Sequence, residues 1–498
     1  MTTKAEPGSS LRRRAVRSRA PWHCLALAGA VCASPCFAAA EPPPPGEGEF
    51  APQDAVEETV RRAAESVSDR SLGAYVDQLA SYTTRHTLSK EGPRAGEIGQ
   101  ARTWILETFK RATRGGRREG DLAPNITFET HKFRPEEFGL ETSRWLFEVN
   151  VINVVCVIPG AMPEARDRLY YAIAHYDSRA SERMDAESAA PGANDDASGV
   201  AVLLELARVL ARERLDSTVV LMATAGEEQG LYGARRHAAS RAETGADIRA
   251  VLNNDTVGDP TGPGGKSAPG QIRVFSEGLP ASMLEDEERL GTGVGAIRRY
   301  ATESDSTSRQ LARFVYDVAQ RHDWLPVKPR LIFRPDRFLR GGDHTAFNEQ
   351  GYAAVRFTEV HENYDRQHQD VRTEDGRFFG DVADFVDAEY LKGVTQLNAA
   401  TLIHLANAPS PPPATRVLVA ELTNDTTLRW EAAPEPDVAG YEIVWRETTA
   451  ATWEHTLDVG DVLEYTIDLS KDNWHFGVRA YDADGYRSPV ALPTAARE

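Results

Sequence analysis

Cysteine is scarce in this chain of 498 residues: there are four, and Cys24, Cys32 and Cys36 all fall within the first forty. If that segment is removed, Cys156 stands alone and a disulfide framework is excluded. It sits in the apolar run Val151-Ile-Asn-Val-Val-Cys-Val-Ile158 and reads as a buried core thiol. Long hydrophobic runs are missing beyond the N-terminus, so no later segment is expected to span a bilayer. Basic residues are also in deficit, 57 Lys+Arg against 75 Asp+Glu, a net charge of −18. Residues 1–40 hold six of the basic residues and one acidic residue, which leaves the remainder at −23. Nucleic acid is therefore not an expected partner, since a phosphate backbone needs a basic face.

What is present begins with Lys4 and the arginines at 12, 13, 14, 17 and 19, followed by a short apolar stretch, Cys24–Cys32, and Ala38-Ala39-Ala40. A basic start, an apolar run too short to cross a membrane and a small-residue cleavage site predict a signal peptide over 1–40. Export to the periplasm or the medium follows, with no stable membrane insertion after cleavage. Residues 41–52, rich in Pro, Gly and Glu, read as a linker. The apolar content, 41%, supports a real core, and the length suggests two globular domains.

Over 53–408 a helical lead-in gives way to strands alternating with helices. Strands are predicted at 126–130, 148–158, 169–174, 218–224, 248–253, 271–275, 330–333 and 353–357. Helices are predicted at 199–212, from 231, and at 308–322, 344–350 and 387–406. Such alternation predicts an α/β fold, a mostly parallel central sheet sandwiched by helices. Residues 409–414, in Ala408-Pro-Ser-Pro-Pro-Pro-Ala414, read as a semi-rigid spacer. Beyond it, over 415–498, the period becomes two, and an all-β, immunoglobulin-like sandwich is predicted.

The chain is organised around His175–Asp196, which follows the apolar run 169–174 and precedes a helix. Ligands of open α/β folds bind at the C-terminal ends of the strands, and other candidate residues fall at the same edge. His175 closes a strand, with Asp177 placed to orient it. Asp195-Asp196 lies in a glycine-flanked loop, Glu227-Glu228 follows strand 218–224, Asp255 follows strand 248–253, and His344 precedes a helix. Singly, each reads as well as a helix cap or a loop hydrogen bonder. Together, two histidines and three carboxylates at one edge suit a pair of zinc ions. Two cations sharing a carboxylate can activate a bridging water and stabilise a tetrahedral intermediate. The doubled Glu227-Glu228 offers one ligand and one general base.

These residues carry a resemblance. His175-x-Asp177, Pro191-Gly-Ala-Asn-Asp-Asp-Ala-Ser-Gly199, Gly226-Glu-Glu-Gln-Gly-Leu-Tyr-Gly233, Asn254-Asp255 and Gly342-Asp-His344 resemble the co-catalytic zinc peptidases of the secreted bacterial leucyl aminopeptidase type. Glutamate carboxypeptidase and glutaminyl cyclase belong to the same family. The likeness spans roughly 150–406. It implies two zinc ions: His175 and Asp255 on one, Glu228 and His344 on the other, Asp195 bridging. It further implies Glu227 as general base, Asp177 as the residue orienting His175, and a cis Asp195–Asp196 peptide. Asn194 departs from relatives that carry a further Asp there, but it is not a ligand. The tail, with Trp430, Gly440-Tyr441 and Val478-Arg-Ala-Tyr481, resembles a fibronectin type III domain and is expected to take a polymer or surface ligand.

Peptides are the expected substrates, and an aminopeptidase is the favoured activity. Asp343, Tyr364 and His368 are placed to line the substrate pocket, Tyr364 and His368 as substrate-binding residues. Arg340, Arg356 and Arg366 keep a carboxypeptidase open, because a terminal carboxylate needs a cation. An amidohydrolase or acyl transferase of the same fold, and a non-catalytic adhesion or tethering protein, are the other readings. Gly264-Gly-Lys-Ser267 lacks the first glycine of a phosphate-binding loop, and the sequons at Asn125 and Asn424 are short enough to arise by chance.

Overall fold

The structure, a computed structural model, describes residues 53–115, 122–134, 147–283 and 287–497. The expected signal peptide and the linker at 41–52 lie outside them. Three helices lead in: α1 (Gln53–Glu65), α2 (Asp69–Ala80) and α3 (Ile98–Ala112). Ser68 starts α2 by accepting the Ser71 amide on Oγ at 3.1 Å, with Asp69 favourably in the first turn.

The α/β body then runs β1 (Asn125–Phe133), β2 (Val149–Ile158), β3 (Arg168–His175), α4 (Ser198–Leu210), β4 (Thr218–Thr224), α5 (Glu227–Gly230), α6 (Tyr232–Glu243) and β5 (Asp247–Asn254). It continues with β6 (Gln271–Ser276), α7 (Glu287–Tyr300), α8 (Thr307–Arg321), β7 (Lys328–Ile332), α9 (His344–Glu349), β8 (Ala354–Glu359), a β9–β10 hairpin (Arg372–Glu374, Arg377–Phe379) and α10 (Ala388–Asn407). Eight strands form one sheet in the order β1-β2-β4-β3-β5-β8-β6-β7. The centre, β4-β3-β5-β8, is parallel. The joints β1–β2, β2–β4 and β8–β6 are antiparallel, so the sheet is mixed around a parallel heart.

Every residue of β4 is buried, which is why Thr-Val-Val-Leu-Met-Ala-Thr is a continuous apolar run rather than an alternating one. One face of the sheet packs against α1–α4, α8 and α10 through residues such as Leu72, Phe109, Leu204, Val315 and Leu397. The other packs against α6 and α9 through Tyr171, Met222, Ala234 and Phe347. Cys156 is fully buried among the first set, and burial pushes its thiol up to about 12. His175, Thr224 and Asn254 end adjacent parallel strands, so the loops after all three open on one edge. Among the described residues no helix is long and apolar enough to cross a membrane.

The C-terminal region forms two small sheets, with strand orders β15-β12-β11-β17 and β14-β13-β16. Their strands are β11 (Arg416–Leu418), β12 (Thr426–Arg429), β13 (Val438–Glu447), β14 (His455–Gly460), β15 (Glu464–Ile467), β16 (Trp474–Asp482) and β17 (Thr494–Ala496). They enclose a core of Leu428, Trp430, Tyr441, Ile443, Phe476 and Val478. The proline-rich segment before them is tied down by side chains. Ser410 is buried and donates from its amide and Oγ to Glu435, at 3.0 and 2.7 Å, and Arg168 of β3 pairs with the same carboxylate at 3.0 Å. A second tie joins Asp305, ahead of α8, to Arg446 of β13.

Candidate metal centre

The loop between β3 and α4 is built on a buried arginine. Arg85 donates to the carbonyls of Tyr176 (2.7 Å), Leu79 (2.9 Å) and Gly192 (2.9 Å), and also to that of Pro191. Burial pulls its pKa down to about 10, against the pull of Asp381 and Asp177. Gly192 has φ of 52°, and a Cβ there would lie 2.6 Å from both the Asp195 carbonyl oxygen and Ser178 Cβ, so no other residue fits. The Asp195–Asp196 peptide that follows is cis. Asp196 is spent on structure: its carboxylate accepts from the amides of His175 (3.1 Å) and Gly199 (2.9 Å).

His175 Nδ1 lies 3.0 Å from the backbone oxygen of Asp177 and 3.6 Å from its Oδ1, which leaves Nε2 facing the cavity. Nε2 is 3.1 Å from Asp195 Oδ1 and 3.9 Å from Asp255 Oδ2. The orienting contact therefore comes mainly from the Asp177 main chain. Its carboxylate instead accepts from the amides of Glu227 (3.3 Å) and Glu228 (3.2 Å), fixing the two-glutamate turn. Asp255 is held from behind by Arg356, whose Nη2 is 2.7 Å from Oδ1.

The second cluster differs from expectation. His368, not His344, meets Glu228: His368 Nε2 lies 3.1 Å from Glu228 Oε2 and 3.0 Å from Asp195 Oδ2. His344 opens α9 with Nε2 2.9 Å from the Pro335 carbonyl oxygen and 3.7 Å from Asp336 Oδ2, aimed at the 335–336 turn. The reason is local. Gly342 passes so close beneath the site that a Cβ there would sit 3.3 Å from Asp255 Oδ2, and Asp343 is bonded to Thr224 Oγ1. The Gly-Asp-His segment thus supports the strand ends from below, while His368 arrives from a polar loop with φ of 54°. Tyr364 is 57% exposed and stacks loosely under Arg340, outside the clusters.

Two supporting residues had no readable signal. Asp381 accepts from the amides of Asn194 and Asp195, both at 2.8 Å, and Gln367 donates to Asp195 Oδ2 at 2.9 Å. Asn194 in turn donates to Glu359 (2.8 Å) and accepts from the Gly258 amide (2.7 Å). Burial, with Asp255 and Glu228 close by and His175 opposing, holds the Glu227 carboxyl well above the usual range. Burial lowers His368, but the Glu228 and Asp195 carboxylates outweigh it and raise the imidazole to about 10.

Two sets of donors result, His175–Asp195–Asp255 and Asp195–Glu228–His368, each with ligand atoms within 4.8 Å of one another. Asp195 belongs to both and turns one oxygen to each. Glu228 Oε1 is buried with no hydrogen-bond partner among the described residues, as expected for an oxygen reserved for a cation. Imidazole and carboxylate donors in this number fit a pair of borderline-to-hard divalent metals.

An α/β sheet with a parallel heart, carrying two His/carboxylate sets that share one aspartate at its C-terminal edge, defines a candidate metal site. The family model described as "Peptidase family M28" matches residues 153–273, which include His175, Asp195, Glu227, Glu228 and Asp255 but neither His344 nor His368. A "Probable zinc metalloprotease" of Leptosphaeria maculans is 42% identical over 441 residues, covering 88% of this chain and 97% of that protein. One of Pyricularia oryzae with the same description is 40% identical over 467 residues, covering 92% and 89%. The LapA aminopeptidase of Legionella pneumophila aligns in three dimensions at 18% identity over 70% of this chain and 75% of that one, with a TM-score of 0.46. The chain belongs to peptidase family M28.

Proposed function

We propose that the protein is an exported, zinc-dependent exopeptidase, an aminopeptidase in the first instance, with two metal positions joined by Asp195. His175 and Asp255 would hold one ion and Glu228 and His368 the other. When bound, zinc supplies Lewis acidity and lowers the pKa of water towards neutrality. The observation that carries the reading is the sharing of Asp195 between two donor sets beside a protonatable Glu227.

The chain's own residues supply the rest. Glu227 stands on the cavity wall and belongs to neither donor set, which suits it to taking a proton from water and giving it to the leaving amine nitrogen. Asp177 fixes the backbone that presents it, and Asp381 fixes the amide of the shared ligand. The cavity, about 280 Å³, has room for a terminal residue of a peptide. Its carboxylates are compatible with a free α-amino group.

The test is zinc per chain in the protein without residues 1–40, combined with turnover of unblocked aminoacyl-anilides and N-blocked peptides, with and without chelator. Two zincs and chelator-sensitive release from unblocked substrates alone support the reading. Activity confined to blocked substrates would move it to a carboxypeptidase or amidohydrolase, and metal-free protein without turnover would leave a tethering role. Export is tested separately by the N-terminal sequence of the protein recovered outside the cell.

A further inference from the structure

The cavity over the metal donors is walled by arginines although the chain as a whole is strongly acidic. Arg179, Arg183, Arg235, Arg337, Arg340 and Arg356 all line it. Four are committed elsewhere. Arg356 holds Asp255 at 2.7 Å, Arg337 holds Glu362 at 2.6 Å, Arg235 pairs with Glu349 at 2.9 Å, and Arg340 donates to Gln367 at 2.9 Å. Arg366, another arginine near this segment, is paired with Asp259. Two are left over. Among the described residues Arg179 donates only to the backbone oxygens of Ala180 (3.1 Å) and Ser181 (2.7 Å), and Arg183 Nε is buried with no hydrogen-bond partner. Among the described residues neither meets a carboxylate.

Their loop is held in place rather than loose. The Ser181 amide donates to Asp370 Oδ1 at 3.1 Å and the Asp370 amide to Ser181 Oγ at 2.9 Å, linking it to the His368 segment. The Arg183 backbone oxygen is hydrogen-bonded by His86 Nε2 at 2.9 Å. An unpaired guanidinium donor beside a cavity is costly unless a ligand satisfies it, and a planar carboxylate matches its geometry best.

We infer that Arg179 and Arg183 form a subsite for a carboxylate of the peptide substrate. This rests on the exopeptidase reading and refines it. The carboxylate comes either from an acidic side chain or from the free C-terminus of a short peptide, and the same wall disfavours Lys and Arg.

The test compares the zinc-loaded protein with Arg179→Gln/Arg183→Gln and with Arg183→Lys, after unfolding temperature and zinc content show that the variants are folded and loaded. Glu- and Asp-anilides against Leu- and Lys-anilides probe the side chain; Leu-Leu against its C-terminal amide probes the terminus. The wild type is expected to favour the carboxylate-bearing member of at least one pair. The double variant is expected to reduce that kcat/KM ratio about tenfold or more, with Arg183→Lys in between. No preference in the wild type, or an unchanged ratio in the double variant, overturns the subsite. Calorimetric binding of Glu-Leu against Leu-Leu-amide to the zinc-loaded Glu227→Gln protein, whose turnover is suppressed, is expected to show the same preference in Kd, and its absence there counts against the subsite. A failure of catalysis is thereby separated from a failure of this subsite.

Discussion

His368 Nε2 stands 3.0 Å from Asp195 Oδ2, on the side of that carboxylate opposite His175. The contact makes a direct prediction, because His344 is the other histidine with a claim to the second metal. His368→Ala is expected to lose about one zinc per chain and at least 100-fold in kcat/KM, more than loss of a residue behind the ligands would cost. His344→Ala is expected to keep both metals and lose stability instead, since its ring packs under the 335–336 turn. Metal analysis and kinetics on the two variants check this; the reverse pattern would return His344 to the metal.

Where burial decides, the sequence was legible. Strand β4 was readable to the residue because all seven of its positions are buried, and the α4 and α10 patterns were legible for the same reason. Helix α7 was not, since glycines at 291, 293 and 295 interrupt its pattern. The β9–β10 hairpin turns on Asp375-Gly376, both at positive φ, a signal that was there to be read. The site divides in the same way. His175, Asp195, Glu228 and Asp255 sit next to strand ends and were visible locally. His368, read from the sequence as a substrate-binding residue near His344, joins the donor atoms only through tertiary folding, as does Asp381, both from a polar segment that no periodicity marks. Composition reads the segment at 409–414 as a semi-rigid spacer and cannot report that Glu435 and Arg168 close over Ser410.

Glu227→Gln keeps the side-chain shape and removes the proton acceptor. Because its carboxylate belongs to neither donor set, zinc content is expected to stay at the wild-type value. Turnover is expected to fall by about 10² to 10⁴ in kcat, the range for loss of a positioned general base, with KM little changed. Loss of zinc alongside activity would instead make Glu227 a ligand.

Asp381 presents two acceptor oxygens to two amides, those of Asn194 and Asp195. Asparagine can satisfy only one and must aim an NH2 at the other. Asp381→Asn is therefore expected to weaken zinc binding by about 10- to 100-fold through displacement of Asp195. Competition with a graded chelator measures this. Unchanged affinity would show that the cis Asp195–Asp196 loop is held well enough by Arg85 alone.

Arg446 places Nη2 2.7 Å from Asp305 Oδ1, and Arg313 Nη1 lies 3.0 Å from the same oxygen, all three groups being buried. Arg446→Met leaves Asp305 with one guanidinium fewer and is expected to cost about 2 kcal/mol in urea unfolding. Asp305→Asn, which strips the buried guanidiniums of their carboxylate, is expected to cost less in the Arg446→Met protein, where only Arg313 is left unpaired, than in the wild type, where both arginines are. An equal cost in the two backgrounds would assign the contribution of Arg446 to packing.

Asp482 gives a pH dependence remote from the metal donors. Its Oδ1 accepts from the amides of Gly485 (2.8 Å) and Tyr486 (2.9 Å), while burial, reinforced by Asp437 and Asp484, raises the carboxyl to about 7. The folded state therefore holds this proton to a higher pH than the unfolded chain, whose aspartates titrate near about 4. Between those values the folded protein binds more protons, so the group's contribution to stability falls as pH rises through the window and stays low above it. Asp482→Asn keeps the accepting oxygen and removes the charge. The variant is expected to be more stable than the wild type at pH 8, with the difference shrinking as pH approaches 4. Urea midpoints for both proteins across that range check the sign, and a constant offset would attribute the effect to the turn rather than to ionisation.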